Sequence, residues 1–353
     1  NGTFKLTDKK SGRVMDNLCY FEDEAEFGDP WNRVVPEGDR PIYSLDARAK
    51  TSILHSGALQ GSLKVEYSFS MPAEKQSDEK RSDQMVTVPV YVELTLKKNS
   101  RHLGIYLRLE NKAKDHRLRL LFPSGIAGAE HSYADGQFDV NQRPIELPDP
   151  EGWKEPPYPT KPMWSFVDVS DGAQGLAVMN EGLIEYEVKD DDSRTIAITL
   201  MRAFGKFVFE RPTPGAQCQG IHEYRFAVYP HPGYWNETDI FSRTSGFLIP
   251  FQAVQSAPSR GKAASENSFL KIDSPHVVFS GVKRGEDGES LVVRFWNPEK
   301  APREVHVETG KDIRSAALLS LEEKVISSIE VAEQNRIVIK APAKKILTLG
   351  IRF

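Results

Sequence analysis

The chain has 353 residues, 46 basic against 50 acidic, for a formal net charge of -4, so it lacks the basic field that holds nucleic acid or an anionic membrane surface. Hydrophobic residues make up 39 %, and no apolar run approaches the roughly 18 residues of a membrane span. A soluble globular protein is expected, long enough for two domains or for one large all-β domain with a satellite.

The chain opens in strand-like sequence, Thr3-Phe4-Lys5-Leu6, with no Met and no signal-peptide pattern. That start suggests part of a longer polypeptide. The stretch from Phe21 to Pro36 carries Glu22, Asp23, Glu24, Glu26 and Asp29, a Gly28-Asp29-Pro30 turn and Trp31. It reads as a loop, either a solvated acidic turn or one that meets a hydroxyl-rich ligand. Period-two alternation follows. Leu63, Val65, Tyr67 and Phe69 share one face, as do Val88, Val90, Val92, Leu94 and Leu96, and then Leu103, Ile105, Leu107 and Leu109. Each run buries one face and wets the other, as antiparallel strands do. Residues 71–84 are charged and aperiodic and read as a mobile hairpin tip. Residues 144–162 hold seven prolines and read as an extended surface loop, of a length more often functional than idle.

Ile196, Ile198 and Leu200 resume the alternation, and Glu237 to Leu248 suits a short helix. Residues 254–268 are rich in Ser, Ala and Gly, as linkers are. Alternation returns at Val277–Phe279, Leu291–Phe295, Val305–Val307, Ile337–Ile339 and Ile346–Ile351, with Val325–Val331 read as strand. The division expected is 1–250 for a large β-domain, 251–268 for a linker and 269–353 for a small β-sandwich.

No compact catalytic motif is present: no H-E-x-x-H, H-x-D, C-x-x-C, G-x-S-x-G or phosphate loop. A metal site built from this chain alone is not expected. Cys19 and Cys218 make no disulfide framework and fit a reducing, cytoplasmic compartment. In the acidic stretch, Asp29 offers acceptors to sugar hydroxyls and the indole of Trp31 a face for a pyranose. The carboxylates also allow an acid/base pair for glycoside chemistry. Arg202, where a buried strand ends, is either a paired structural charge or a donor facing a ligand; Arg143, at the start of the proline-rich loop, has the same two readings. His222 reads as a satisfied core or interface histidine.

Several segments together resemble the C-terminal β region of glycoside hydrolase family 38 α-mannosidases, of the bacterial branch. They are Asn1-Gly2-Thr3-Phe4 with Asp8 to Arg13, Phe21-Glu22-Asp23 with Gly28-Asp29-Pro30-Trp31, and Phe138 to Pro144. Phe166 to Ser170 through Gly175-Leu176-Ala177, Asn180 to Tyr186, Thr199 to Gly205 and Gln217 to Gly220 with His222 continue the series. Val293 to Pro298 and the final strand Ile346 to Leu349 complete it. The resemblance implies an all-β fold: a large β-supersandwich, galactose mutarotase-like, followed by a small β-sandwich. It implies N-terminal catalytic and helical domains as partners, and a mannoside as substrate. The nucleophilic Asp and the zinc ligands of the family would lie in those parts, which makes this chain the non-catalytic portion of a retaining glycosidase, inactive alone. It places Asp29, Trp31 and Arg202 near the sugar, and Arg143, read from its own position, joins them as a substrate-binding candidate, none of them catalytic. Trp31 stands where the family usually has Tyr, and Pro30 where an acidic residue is common, so a phenol hydrogen bond is lost while a stacking face is kept. Two alternatives are a stand-alone carbohydrate-binding β-sandwich and an aldose epimerase using His131 and Glu185. The residues leave linkage preference and homo-oligomerisation open.

Overall fold

Runs that alternate apolar and polar residues become strands here because the pleat sends successive side chains to opposite faces. The computed structural model describes residues 1–207, 210–257, 261 and 265–353. It falls into two compact units, Asn1–Gly136 with Asn141–Thr238, and Gln137–Val140 with Asp239–Phe353. Regular structure is almost entirely strand, and the fold is all-β, a large supersandwich followed in the chain by a small sandwich.

The first unit pairs a nine-stranded with a six-stranded antiparallel sheet. The nine-stranded sheet runs, edge to edge, Asp139–Pro144, His131–Gly136, Phe166–Ser170, Gln174–Asn180, Gly220–Pro232, Leu103–Asn111, Met85–Lys97, Gln60–Pro72 and Lys50–Ser56. The six-stranded sheet runs Lys161–Pro162, Glu185–Val188, Ile196–Ala203, His116–Phe122, Tyr20–Ala25 and Ile42–Tyr43. Their facing sides meet in one apolar core that includes Phe21, Phe69, Val90, Leu107, Leu118, Leu120 and Phe226. Phe21 lies near-parallel to Phe69, ring centroids 6.0 Å apart. Each such burial contributes about 1.5–3 kcal/mol.

The structure corrects the reading of Phe21 to Pro36 as one loop. Tyr20–Ala25 is a strand inside the six-stranded sheet, and Glu22, Asp23 and Glu26 have no exposed surface. The reason is cross-strand chemistry. Arg117 lies opposite Glu24 and Arg119 opposite Glu22, so alternate acids meet alternate bases on one face. Residues 71–84 do form a hairpin, with Lys75–Ser77 paired to Lys80–Arg81. Arg81 turns inward from it, however, and binds Asp23 at 2.6 Å and Asp39 at 2.8 Å. The proline-rich stretch is irregular apart from Pro144, which ends the strand Asp139–Pro144, and Lys161–Pro162, which pairs with Tyr186 and Glu185.

In the second unit, a four-stranded sheet runs Leu270–Asp273, Arg303–Thr309, Arg336–Ala341 and Val331–Glu333. A five-stranded sheet runs Val278–Arg284, Leu291–Trp296, Ile346–Arg352, Ser315–Leu319 and Val325–Ile329. Val293, Phe295, Val305, Val307, Ile337, Leu347 and Leu349 fill the space between them. The Asn297 amide fixes a turn by donating to the carbonyls of Ala301, Ala341 and Pro342. The expected short helix is Ile240–Leu248. Of the linker expected at 251–268, residues 258–260 and 262–264 lie outside the described residues.

Candidate functional site

The charged face of the six-stranded sheet builds the site. Along Tyr20–Ala25, Phe21, Asp23 and Ala25 turn to one side and Glu22 and Glu24 to the other, because the period is two. Arg119 Nε donates to Glu22 Oε1 at 2.7 Å, and Lys189 and Glu187 close around the pair. Arg117 grips Glu24 with two nitrogens, at 2.6 and 3.1 Å, and Arg33 adds a third donor at 3.1 Å. Burial pushes the Glu24 carboxyl up, but Arg117, Arg119 and Arg33 outweigh it and leave the group below the usual carboxylate range.

The row ends at Glu26, which ties strand to loop. Glu26 Oε2 accepts from Arg202 Nε at 2.9 Å and Oε1 from the Gly28 amide at 3.2 Å. Arg202 Nη2 donates on to the Asp29 carbonyl at 3.1 Å. Burial lowers the Arg202 value, but Glu26 more than offsets this and holds its charge more firmly. Gly28 is required by space: a Cβ there would lie 1.7 Å from the Asn32 carbonyl oxygen. Asp29 Oδ1 accepts from the amides of Trp31 and Asn32, both at 2.8 Å, and those bonds to Asn32 and Trp31 keep its carboxyl below the ordinary range. The loop is thus pinned at its base, and Trp31 stands out of it, 64 % exposed, against Phe207 with ring centroids 4.9 Å apart.

Trp31 lines a groove of about 330 Å³. Tyr158, Thr160, Lys161, Pro162, Ile184, Arg33, Arg117, Arg202 and Glu185 line it as well. Tyr158 reaches back to the Arg33 carbonyl at 3.4 Å, and Arg117 donates to the Thr160 hydroxyl at 3.3 Å. Glu185 accepts from the Thr199 hydroxyl at 2.7 Å. An aromatic wall, ordered guanidinium donors and one carboxylate suit a polyhydroxylated ligand with an apolar face.

The structure brings Trp31 and Arg202 together in this groove, with Asp29 behind them at the root of the loop. Arg143 does not line it. Its Nη1 donates to the Pro162 carbonyl at 3.0 Å and the Tyr186 hydroxyl at 3.2 Å, which holds the Lys161–Pro162 strand. His222 Nε2 donates to the Cys218 carbonyl, 2.7 Å away, and the ring lies near-parallel to Tyr224. His131 and Glu185 belong to different sheets. Sequence reasoning missed Arg33, Arg117, Tyr158 and Lys161. The signal available was the alternation of bases in His116-Arg117-Leu118-Arg119, which mirrors the acids of the strand beside it.

The acidic stretch does not supply an acid/base pair. Glu22, Glu24 and Glu26 are committed to Arg119, Arg117 and Arg202, and the groove is lined by one carboxylate, Glu185. Glycosidases set two carboxyl groups across the scissile bond. Among the described residues no three His, Cys, Asp or Glu side chains converge as metal ligands, so these residues do not fit a zinc ion. No helix among them is long and apolar enough to cross a membrane.

Comparison with known proteins gives a consistent result. The family described as "Glycosyl hydrolases family 38 C-terminal domain" matches residues 1–206, and "Glycosyl hydrolases family 38 C-terminal beta sandwich domain" matches residues 276–349. A curated relative from Halalkalibacterium halodurans, named "Putative mannosylglycerate hydrolase", is 27 % identical over 92 % of this chain and 37 % of its own length. "Alpha-mannosidase 2C1" of Homo sapiens is 24 % identical over 62 % of this chain and 20 % of its own length. The crystal structure of an alpha-mannosidase from Enterococcus faecalis V583 superposes with a TM-score of 0.86 at 26 % identity, over 98 % of this chain and 40 % of that one. The chain therefore spans 40 % or less of the length of these relatives.

Proposed function

The chain belongs to glycosyl hydrolase family 38, as its C-terminal β region, and on that premise we propose that it supplies one side of an α-mannoside site whose reacting groups lie elsewhere in the enzyme. The observation that carries this is the groove itself. It has an exposed indole on a pinned loop and ordered arginines, yet one carboxylate and no metal-ligand cluster among the described residues. N-terminal catalytic and helical domains are the partners this reading requires. Zinc, which would hold vicinal sugar hydroxyls there, belongs to those domains and not to this chain.

The residues of this chain bind and orient. Trp31 is the platform for the apolar face of the pyranose. Arg202 is a donor beside it, kept charged by Glu26. Asp29 acts through the loop, by holding the amides of Trp31 and Asn32. Arg143 acts through the carbonyl of Pro162, which lines the groove. The unpaired Cys19 and Cys218 support a reducing, cytoplasmic setting.

The test is hydrolysis of an aryl α-mannoside by residues 1–353 with added zinc. No turnover is expected, and robust turnover contradicts the proposal. A stand-alone carbohydrate-binding protein is the second reading, favoured by the exposure of both Trp31 and Tyr158. Calorimetry with mannose oligosaccharides separates the two, because strong heat from the isolated chain supports only that second reading.

A further inference from the structure

Asp29 fixes the backbone at Trp31, through the amides of Trp31 and Asn32, but not the side chain. The indole is 64 % exposed, and an exposed side chain changes rotamer on the picosecond to nanosecond scale. A stacking platform that is ordered only as the ligand arrives loses affinity by that ordering cost. The structure supplies an ordering contact beforehand. The Phe207 ring packs against the indole, centroids 4.9 Å apart and planes at 58°, within the range of favourable aromatic pairs. Phe207 does not line the groove, whereas Trp31 does. A sugar in the groove would therefore meet the indole and not Phe207.

Phe207 lies on a short hairpin, Lys206–Phe207 paired with Arg211–Pro212, and a two-stranded hairpin of this size does not stand alone. Its base is tied down. The Thr213 amide donates to the Gly205 carbonyl at 2.9 Å. Beside it, Gln217 Nε2 donates to Asp115 Oδ1 at 2.6 Å, and Gln217 Oε1 accepts from the Asp115 amide at 2.8 Å. A Cβ at Gly205 would lie 2.9 Å from that Gln217 nitrogen, so the chain passes directly against the pair. The hairpin continues the strand Ile196–Ala203, which carries Arg202, and Arg202 Nη2 reaches the Asp29 carbonyl. One stretch of chain thus holds the Trp31 loop twice, at its root through Arg202 and at the indole through Phe207.

We propose that Phe207 is a positioning residue: packed against Trp31 on its tied hairpin, it sets the indole in the orientation that receives the sugar ring. The proposal rests on the reading of the groove as a sugar site. Phe207 acts through Trp31 and makes no ligand contact of its own. Its contribution is the ordering of the indole before binding, so it belongs to affinity and not to stability.

The test is a double-mutant cycle on the polypeptide that carries this chain, with calorimetric affinity for methyl α-mannoside as the readout. Phe207→Ala should weaken binding roughly threefold, the cost of ordering one side chain on binding, and Phe207→Tyr, which keeps the ring, should restore the affinity. Trp31→Ala with Phe207→Ala should bind no more weakly than Trp31→Ala alone. Fluorotryptophan labelling gives a second readout. The Trp31 fluorine resonance, assigned by its absence from Trp31→Phe, should move in Phe207→Ala and stay in place in Phe207→Tyr. If the alanine variant melts early, Phe207→Leu, which keeps an apolar side chain but removes the ring, is measured instead with the same expectations. Unchanged affinity in a folded variant without the ring overturns the proposal and leaves the sugar site standing. Losses that add in the double variant overturn it too, because Phe207 would then act by a route other than Trp31. If the unsubstituted polypeptide binds no mannoside, the sugar site falls and this proposal falls with it.

Discussion

Residues 21–26 and 28–36 are adjacent in sequence and similar in character, yet the structure uses them in opposite ways. In the first, carboxylates sit on a strand and just past its end, with no exposed surface at Glu22, Asp23 or Glu26. In the second, the backbone leaves the sheet and presents Trp31 to solvent. Partners account for the difference. The strand lies beside Arg117 and Arg119, whereas the loop is held by its own amides and by Arg202. Charge in a sequence therefore does not report exposure; the charge on the neighbouring strand does. The acidic strand is a foundation and the loop is the part that meets a ligand.

The sharpest way to break this contrast is to unpair the foundation. Glu22→Ala takes the shared carboxylate from Lys189 and from the almost wholly buried Arg119, which keeps Glu187. Loss of one partner from a buried pair costs about 3–5 kcal/mol, and with Glu187 still in place urea denaturation should show a fall at the lower end of that range. A change below about 1 kcal/mol, the level of exposed pairs, contradicts the account.

Gly28→Ala attacks the junction. The added methyl meets backbone, the Asn32 carbonyl oxygen at 1.7 Å, so the loop must shift. A stability loss of about 1–3 kcal/mol is expected from such overpacking, with loss of sugar affinity measured in parallel. Retention of both speaks against a tightly set loop.

Acid should reach the foundation through Glu24. Its folded-state value lies below the ordinary 4.5. The stability it contributes is thus present above that value and lost as pH falls through the lowered folded-state one. Thermal melts from pH 6 downward should show a declining midpoint across that window, and Glu24→Gln should flatten the slope there. An unchanged slope removes Glu24 from the acid response.

Much of the fold could be read from the residues because its signal is local. Val88 to Leu96 and Leu103 to Leu109 alternate without interruption, and each run becomes a strand of the nine-stranded sheet. The acidic strand escaped because its explanation is not local. Glu24 and Arg117 are 93 positions apart, and nothing near Glu24 announces a partner. Trp31 and Arg202 stand out on their own residues, an indole in an acidic turn and an arginine where a buried strand ends, and the family resemblance adds to both. Tyr158 and Lys161 sit in a proline-rich stretch whose composition marks a loop without saying what it faces.

Trp31→Ala has the smallest expected effect on stability and tests the central claim most directly. Trp31 is exposed and packs against Phe207, so the melting temperature should hardly move, a change of about 0.5 kcal/mol or less. In the polypeptide that carries this chain, KM or Kd for an α-mannoside should rise roughly tenfold, as loss of an aromatic stacking face of about 1.4 kcal/mol implies. A tenfold weaker affinity at constant melting temperature is the result predicted. Unchanged affinity, or a large fall in melting temperature, would contradict the assignment of this loop to the ligand.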